Sequence, residues 1–256
     1  MNEDGAQEFN KDYRIHVYES GPDGKLALSS LFDFFQDIAS EHAIALGYGR
    51  DELMKDNNFW VLSRMYSVIE RWPSLGEKIS IRTWPRGTEK LFALRDFIAR
   101  TEDGIVIARA TSSWLIIDYN TKRIQRPDDN LNKLNFVPAS EAALSRNASR
   151  IGAPSSEAKL NREFSVRISD LDVNLHANNA RYLEWVTDCY DLDFIMNNAP
   201  VSAEINYLAE SHFNDRVAIM IAGQEGNERI SDHSIVRTDD DTELCRVRIQ
   251  WSEKQA

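Results

Sequence analysis

Three polar side chains at alternate positions mark the segment of the sequence best suited to chemistry. Asp172, Asn174 and His176 supply a carboxylate, an amide and an imidazole within five residues. In an extended chain, this spacing places all three side chains on one face. The apolar residues beside them are expected to point the other way and anchor the segment: Leu171, Val173 and Leu175. A set of this kind is suited to acyl transfer, which needs a base and a group that orients the reactants.

A helix is expected to begin directly after this segment, because Asn178 is a good N-terminal cap. The first turn of such a helix offers backbone N–H groups and a partial positive charge to a developing oxyanion. Asn and Asp are also common before helices for structural reasons alone, since they cap helices and form turns. The segment by itself therefore leaves a purely structural role open.

The two halves of the sequence follow one plan, in which a strand and a polar loop precede an amphipathic helix and further strands. The first helix carries its apolar stripe from Leu28 to His42 and closes near Gly47, and the second is predicted over residues 179–196. The predicted strands are residues 13–19, 60–69, 78–84, 92–100 and 105–119, then 163–168, 203–208, 216–222, 231–238 and 244–251.

This repeat predicts an α+β fold of two tandem hotdog domains, each a long helix wrapped by an antiparallel sheet. We expect the two sheets to pair edge to edge, because this removes exposed strand edges. The predicted boundaries are an N-terminal domain over residues 8–126, a linker over 127–160 with a short helix around 141–144, and a C-terminal domain over 161–254. Periodicity fails in the linker, which contains several prolines.

Alignment of the halves places Gly21, Asp23 and Lys25 opposite the polar triplet. The first half thus keeps the predicted fold pattern without those three side chains. The backbone plan does not require them, which favours the chemical interpretation of the triplet.

Composition excludes several classes of protein. The net charge of −11 disfavours nucleic acid and anionic membranes as partners. No apolar run approaches the roughly 18 residues of a membrane span, and the polar N-terminus does not resemble a targeting signal, so a cytoplasmic location is expected. Cys189 and Cys245 are interpreted as reduced packing residues. No spacing suggests a metal site, and no cofactor is expected.

Charge is unevenly distributed along the chain. Residues 60–126 carry 12 Lys and Arg against 7 Asp and Glu, although the protein as a whole is acidic. A basic face of this kind could dock an acidic partner, and a solvated sheet face is the simpler alternative. The candidate docking residues are Lys78, Arg82, Arg86, Lys90 and Arg95.

Residues 170–182 read Asp-Leu-Asp-Val-Asn-Leu-His-Ala-Asn-Asn-Ala-Arg-Tyr. This segment resembles the D-L-D-x-N-x-H-x-N-N-x-x-Y pattern of the fatty acyl-ACP thioesterases of plants and bacteria. Residues 205–211 resemble the strand that carries the catalytic glutamate of that family, which corresponds to Glu210. Many plant members have cysteine directly after this glutamate, whereas this chain has Ser211. The likeness covers roughly residues 12–252.

The resemblance implies that the second domain carries the catalytic residues Asp172, Asn174, His176 and Glu210, and that the first receives the acyl chain. Glu210, or Asp172 acting through His176, would then activate water. Four residues of the first helix are expected to form a wall of the acyl tunnel, with ordinary core packing as the alternative: Leu28, Leu31, Phe35 and Ile38.

The implied partner is an acyl carrier protein with a phosphopantetheine-linked acyl chain, docked on the basic residues. An acyl-CoA thioesterase and a non-catalytic acyl-binding module on the same fold are alternatives. A dehydratase is disfavoured, because the motif does not resemble that family. Monomer and homodimer both remain open.

Overall fold

One antiparallel sheet of eleven strands runs through both halves of the chain in the computed structural model, which describes residues 7–131, 134–154, 158–222 and 229–254. The strands of the first half are β1 (Phe9–Arg14), β2 (Asn58–Ile69), β3 (Lys78–Glu89), β4 (Phe92–Thr101), β5 (Val106–Asp118) and β6 (Ile124–Gln125). Those of the second half are β7 (Lys159–Ser165), β8 (Asn198–Tyr207), β9 (Arg216–Ala222), β10 (Ile230–Arg237) and β11 (Thr242–Glu253).

The strand order is symmetric about the centre of the sheet. It runs β1-β3-β4-β5-β2 and continues as β8-β11-β10-β9-β7, with β6 paired to β5. Strands β2 and β8 form the seam between the halves, in register from Arg64 opposite Asn206 to Val68 opposite Ser202. The predicted edge-to-edge pairing of two hotdog sheets is therefore confirmed.

The first predicted helix is confirmed as α1 (Leu28–Ala45), but the second is broken into α4 (Asn179–Thr187) and α5 (Leu192–Asn197). The break occurs because Asp191 caps a new helix, its carboxylate accepting from the N–H of Phe194 at 2.7 Å. The described residues also form two short α-helices, α2 (Arg50–Lys55) and α3 (Pro127–Asn130). Among the described residues, no helix has the length and apolar character needed to cross a membrane.

The first strand of each half lies earlier in the chain than predicted. The last residues of the first predicted strand form a 3-10 helix instead, at Val17–Glu19, and the last residue of the other begins one at Ile168–Asp170. In each helix the backbone N–H of the preceding residue donates to an acidic side chain three residues later. His16 donates to Glu19 at 2.7 Å, and Arg167 donates to Asp170 at 2.6 Å. This local hydrogen bond competes with the strand. The other predicted strands are present with shifted ends.

The core lies between the inner face of the sheet and the pair α1 and α4. Phe35 of α1 packs on Phe97 of β4 with ring centroids 5.0 Å apart, and both are fully buried. In the second half Phe164 and Tyr182 pack around Trp185. The two helices meet near the centre of the sheet, where the Asn179 side chain donates to Gln36 at 2.8 Å.

The segment between the halves packs on the outer face of the sheet. Val137 and Ala143 form a small buried cluster with Trp84 and Ile98. The helix predicted at 141–144 lies slightly earlier, as a 3-10 turn over Ala139–Glu141. Residues 132, 133 and 155–157 of the predicted linker lie outside the described residues.

Candidate active site

The polar triplet lies in a tight turn, so the prediction of an extended segment is wrong. The Asp172 carboxylate accepts from the backbone N–H of Asn174 at 2.7 Å and of His176 at 3.3 Å. The backbone N–H of Asp172 donates to the carbonyl of His176 at 2.8 Å, which closes the turn. Asp172 thus organises the loop that presents Asn174 and His176.

The prediction that Leu171, Val173 and Leu175 anchor this segment is confirmed for Leu171, which packs against the main core, and is wrong for the other two. Val173 is 84% exposed and Leu175 is 70% exposed, because the turn lifts both side chains away from the core. Backbone pairing also holds the segment, of Leu171 with Ala177 and of His176 with His212.

The first half contains the same turn without the polar triplet. Gly21 donates to the carbonyl of Lys25 as Asp172 does to that of His176, and Lys25 pairs with Ser74 as His176 pairs with His212. This equivalence confirms the residue alignment made from the sequence.

Glu210 joins His176 at the end of β8. The Oε2 atom of Glu210 lies 3.4 Å from the Nε2 atom of His176, and both side chains are partly exposed. The imidazole of His212 packs edge-on against that of His176, with ring centroids 4.9 Å apart. A carboxylate and an imidazole thus face each other on a solvent-accessible surface, a pair that can move a proton.

Helix α4 begins beside this pair with the predicted cap, since the Asn178 side chain accepts from the N–H of Ala180 at 2.9 Å. The N–H of Asn178 donates to the carbonyl of Asp170 at 2.8 Å. Because these two donors are engaged, they are not available to an oxyanion, and a role of this turn in oxyanion binding stays a prediction.

Neither a serine nor a cysteine nucleophile is supported. Ser211 is fully buried and faces the core, away from Glu210, because successive residues of an extended segment alternate. Burial raises the pKa of the Cys189 thiol to about 11 and that of Cys245 well above its usual value. Both cysteines are free, as predicted, and both are protonated near neutral pH.

A cavity of about 1020 Å³ connects the His176–Glu210 pair with the interior of the first half. The cavity runs past the ends of four neighbouring strands, β8, β2, β5 and β4. Four strands span three strand spacings, so the cavity extends about 14 Å across the sheet. Its walls are largely apolar. They include Trp60, Leu62, Ala93, Trp114, Leu134 and Phe136. The shape suits a long apolar chain with its polar end at Glu210.

The prediction that four residues of α1 form a wall of the acyl tunnel is wrong: Leu28, Leu31, Phe35 and Ile38. These residues are buried in the main core and do not line the cavity. The last turns of α1 line it instead, through Ala39, Ser40 and Ala43. Small side chains leave space there, whereas the large ones earlier in the helix fill theirs.

The predicted basic docking face is wrong for Arg86 and Arg95. The Nε atom of Arg86 lies 2.9 Å from Oδ2 of the buried Asp96, in an ion pair on the outer face of the sheet. Arg95 is buried on the opposite face and lines the cavity, donating to Thr83 at 3.2 Å. Burial lowers the pKa of Arg95 to about 10.

The remaining basic residues do not share one patch. Lys78 and Lys90 flank the two ends of β3, roughly 35 Å apart in an extended strand. Arg82 lies between them and pairs with Glu8 and Glu141. Docking by these three residues stays a prediction, and only Lys90 lies at the cavity end of β3.

Three cavity residues were missed by the sequence interpretation. Asn179 lines the cavity, and its carbonyl accepts from the Tyr207 hydroxyl at 2.9 Å. Tyr182 packs edge-on against Tyr207 at 5.7 Å between centroids. Burial raises the pKa of both tyrosines, so their hydroxyls stay neutral. Tyr182 lies on the buried face of α4 and Tyr207 lies in β8, positions where the sequence pattern does not distinguish a cavity residue from a core residue.

Family models match almost the whole chain. The model of the acyl-ACP thioesterase N-terminal domain matches residues 6–134, and that of the C-terminal domain matches residues 154–253. The chain therefore belongs to the acyl-ACP thioesterase family.

Curated relatives and solved structures agree with this assignment. A chloroplastic palmitoyl-acyl carrier protein thioesterase from Gossypium hirsutum is 25% identical over 97% of this chain, which spans 64% of the length of that relative. An acyl-ACP thioesterase from Bacteroides thetaiotaomicron has a TM-score of 0.84 at 23% identity, covering 96% of this chain and 98% of the other. A 12:0-ACP thioesterase from Umbellularia californica has a TM-score of 0.81 at 21% identity, covering 98% and 95%. These structures share the fold.

Proposed function

We propose that this protein hydrolyses the thioester of a fatty acyl-acyl carrier protein and releases the free fatty acid. One observation carries the proposal: the His176–Glu210 pair lies at the mouth of a long apolar cavity. Family membership supports the same reaction. The division of labour proposed from the sequence, with acyl binding by residues 8–126 and catalysis by residues 161–254, is supported by the lining of this cavity.

Glu210 is the better candidate for the general base. Its carboxylate is partly exposed and close to His176, whereas the Asp172 carboxylate is engaged by backbone N–H groups of its own turn. Glu210 accepts a proton from water, the oxygen attacks the thioester carbonyl, and the C–S bond breaks as the thiol leaves with a proton. Asn174 orients the water or the carbonyl, and Asp172 acts by positioning both neighbours.

Substitution of the pair tests this function. We expect Glu210→Gln and His176→Ala each to lower turnover of acyl-ACP by about 10²- to 10⁴-fold, the usual contribution of a positioned acid or base. Asp172→Asn should also lower turnover, through loss of the turn geometry. The measurement is release of free acid from purified acyl-ACP, with the melting temperature as a check on folding.

Glu102→Gln is a matched control, because Glu102 is an exposed glutamate in a hairpin of the first half. It should keep full activity. Near-normal turnover in folded Glu210→Gln and His176→Ala variants would refute the proposed site.

The carrier is tested separately. Acyl-ACP and acyl-CoA with the same acyl chain are compared side by side, and we expect a higher kcat/KM for acyl-ACP. A higher value for acyl-CoA would favour the acyl-CoA thioesterase alternative. Tight acyl binding without hydrolysis of either thioester would favour a non-catalytic acyl-binding module.

A further inference from the structure

We propose that His176, Glu210 and His212 form a zinc-binding site, and that zinc bound there reversibly blocks hydrolysis. The inhibitory consequence rests on the proposed function, whereas the metal site rests on geometry alone. The bound zinc would act as an inhibitor and would take no part in hydrolysis, because the proposed reaction uses a carboxylate base and no metal.

The backbone brings these three side chains onto one surface. His176 and His212 pair directly across an antiparallel bridge, an arrangement that places side chains on the same face about 5 Å apart. Glu210 precedes His212 by two residues, and the residue between them is buried, so Glu210 and His212 point to the same side. The cluster is thus fixed by strand pairing.

The distances allow coordination after small side-chain rotations. One ligand atom from each of the three residues lies within 4.8 Å of the others, and the His176–Glu210 separation is 3.4 Å. Zinc bonds of about 2.0–2.2 Å in a tetrahedron place ligand atoms roughly 3.4 Å apart. The Glu210 and His212 side chains are about half exposed, and the only ion-pair partner of the His212 ring is Asp215, at 3.9 Å, among the described residues. Both side chains therefore have room to rotate.

The chemistry of the three side chains determines which metals the site can bind. Two imidazoles and one carboxylate suit zinc and similar transition metals, whereas magnesium and calcium prefer all-oxygen sites. The equivalent positions in the first half are Lys25, Ser74 and Trp72, which cannot form such a site. One metal per chain is therefore expected. Its binding engages His176 and Glu210, so the base is no longer available to water.

The test uses the full-length chain and zinc chloride. Titration calorimetry should show one zinc bound by the wild-type protein, and His212→Gln should weaken this binding by about tenfold or more, since it removes a ligand. Magnesium chloride should show no binding at this site. His16→Gln is the matched control, because His16 is an exposed histidine beside Glu19, and it should bind zinc as the wild type does.

A hydrolysis assay then tests the consequence. Zinc should inhibit the wild type, and a chelator should restore activity. Inhibition of His212→Gln, measured relative to its own activity without zinc, should require about tenfold more zinc. Equal zinc affinity in the wild type and His212→Gln would overturn the metal site, whether or not the protein hydrolyses acyl-ACP. Weakened binding with equal inhibition would overturn the inhibitory role.

Discussion

At the scale of single residues, Leu175 has a backbone conformation that suits glycine. Its φ of 64° lies in the left-handed region, and the equivalent residue in the first half is Gly24, with φ 72°. A left-handed conformation costs an ordinary residue roughly 1–2 kcal/mol, and the exposed Leu175 side chain offsets little of this by burial. Strain is therefore stored beside His176, in a turn that the proposed function uses.

Leu175→Asn should stabilise the protein by about 0.5–1 kcal/mol, because Asn adopts the left-handed conformation at lower cost and little burial is lost. Urea unfolding gives the free energy of unfolding of both proteins. As a control, Gly24→Leu introduces the same conflict in the first half, where no atom lies within 4 Å of the added Cβ. It should destabilise by roughly 1–2 kcal/mol. A destabilised Leu175→Asn variant would show that the turn is not strained.

A second residue, His233, makes stability depend on pH. Burial lowers the pKa of His233 to about 4, and its ring is held between the Tyr190 hydroxyl at 2.9 Å and the carbonyl of Val247 at 3.3 Å. The unfolded chain binds this proton below about pH 6.5 and the folded chain only below about pH 4. Stability is therefore complete above the unfolded value and is lost as the pH falls towards 4.

Between pH 7 and pH 5, His233 should account for a loss of about 2 kcal/mol in the free energy of unfolding. In His233→Gln, the same fall in pH should cost about 2 kcal/mol less than in the wild type, whatever the stability of the variant at pH 7. Urea unfolding at the two pH values gives the difference. Equal losses in both proteins would contradict the assignment.

At the scale of elements, helices and strands that follow a regular apolar pattern were predictable from the sequence, whereas turns and helix ends set by local hydrogen bonds were not. The apolar stripe from Leu28 to His42 predicted α1, since periodicity alone specifies a long amphipathic helix. The alternation at residues 172–176 predicted an extended segment, but the Asp172 carboxylate accepts from two backbone N–H groups locally and forms a turn. Asp191 breaks the second helix in the same way. Whether an Asp side chain hydrogen-bonds to the nearby backbone depends on its three-dimensional surroundings, which the periodicity of the sequence does not reveal.

A buried carboxylate of β8, that of Glu204, helps to attach the segment between the halves. Glu204 accepts from both terminal nitrogens of Arg146 at 2.9 Å and from the Ser149 hydroxyl at 3.0 Å. Asn206 adds bonds to Ser149 and Ile151. The segment is therefore attached to the strand that forms the seam between the two sheets.

Glu204→Gln should destabilise the protein by about 2 kcal/mol, because it weakens several charge-assisted hydrogen bonds in a buried site. It should also speed trypsin cleavage after Arg146 and Arg150. Urea unfolding and limited proteolysis measure the two effects. Glu253→Gln, which affects an exposed ion pair with Arg229, should change stability by less than about 0.5 kcal/mol. Equal effects of the two substitutions would contradict a role in attachment.

At the scale of the whole molecule, the candidate site exists only because the two sheets share the seam between β2 and β8. The second half supplies Glu210 and His176, while the first half supplies most of the cavity. The repeat in the sequence predicted the paired sheets, since both halves show the same order of elements. It could not predict which face of α1 lines the cavity, because empty space depends on how side chains from several strands fit together.

The later turns of α1 should therefore set the length of the acyl chain that the cavity accepts. Ala43 lines the cavity, and Ala43→Leu adds three carbon atoms to its wall. The kcat/KM for long acyl chains should fall by about tenfold or more relative to short ones, since one methylene in an apolar pocket is worth about 1–3 kcal/mol. Ile44→Leu, at the neighbouring solvent-exposed position, should leave the chain-length profile unchanged. An unchanged profile in Ala43→Leu would show that the acyl chain does not occupy this cavity.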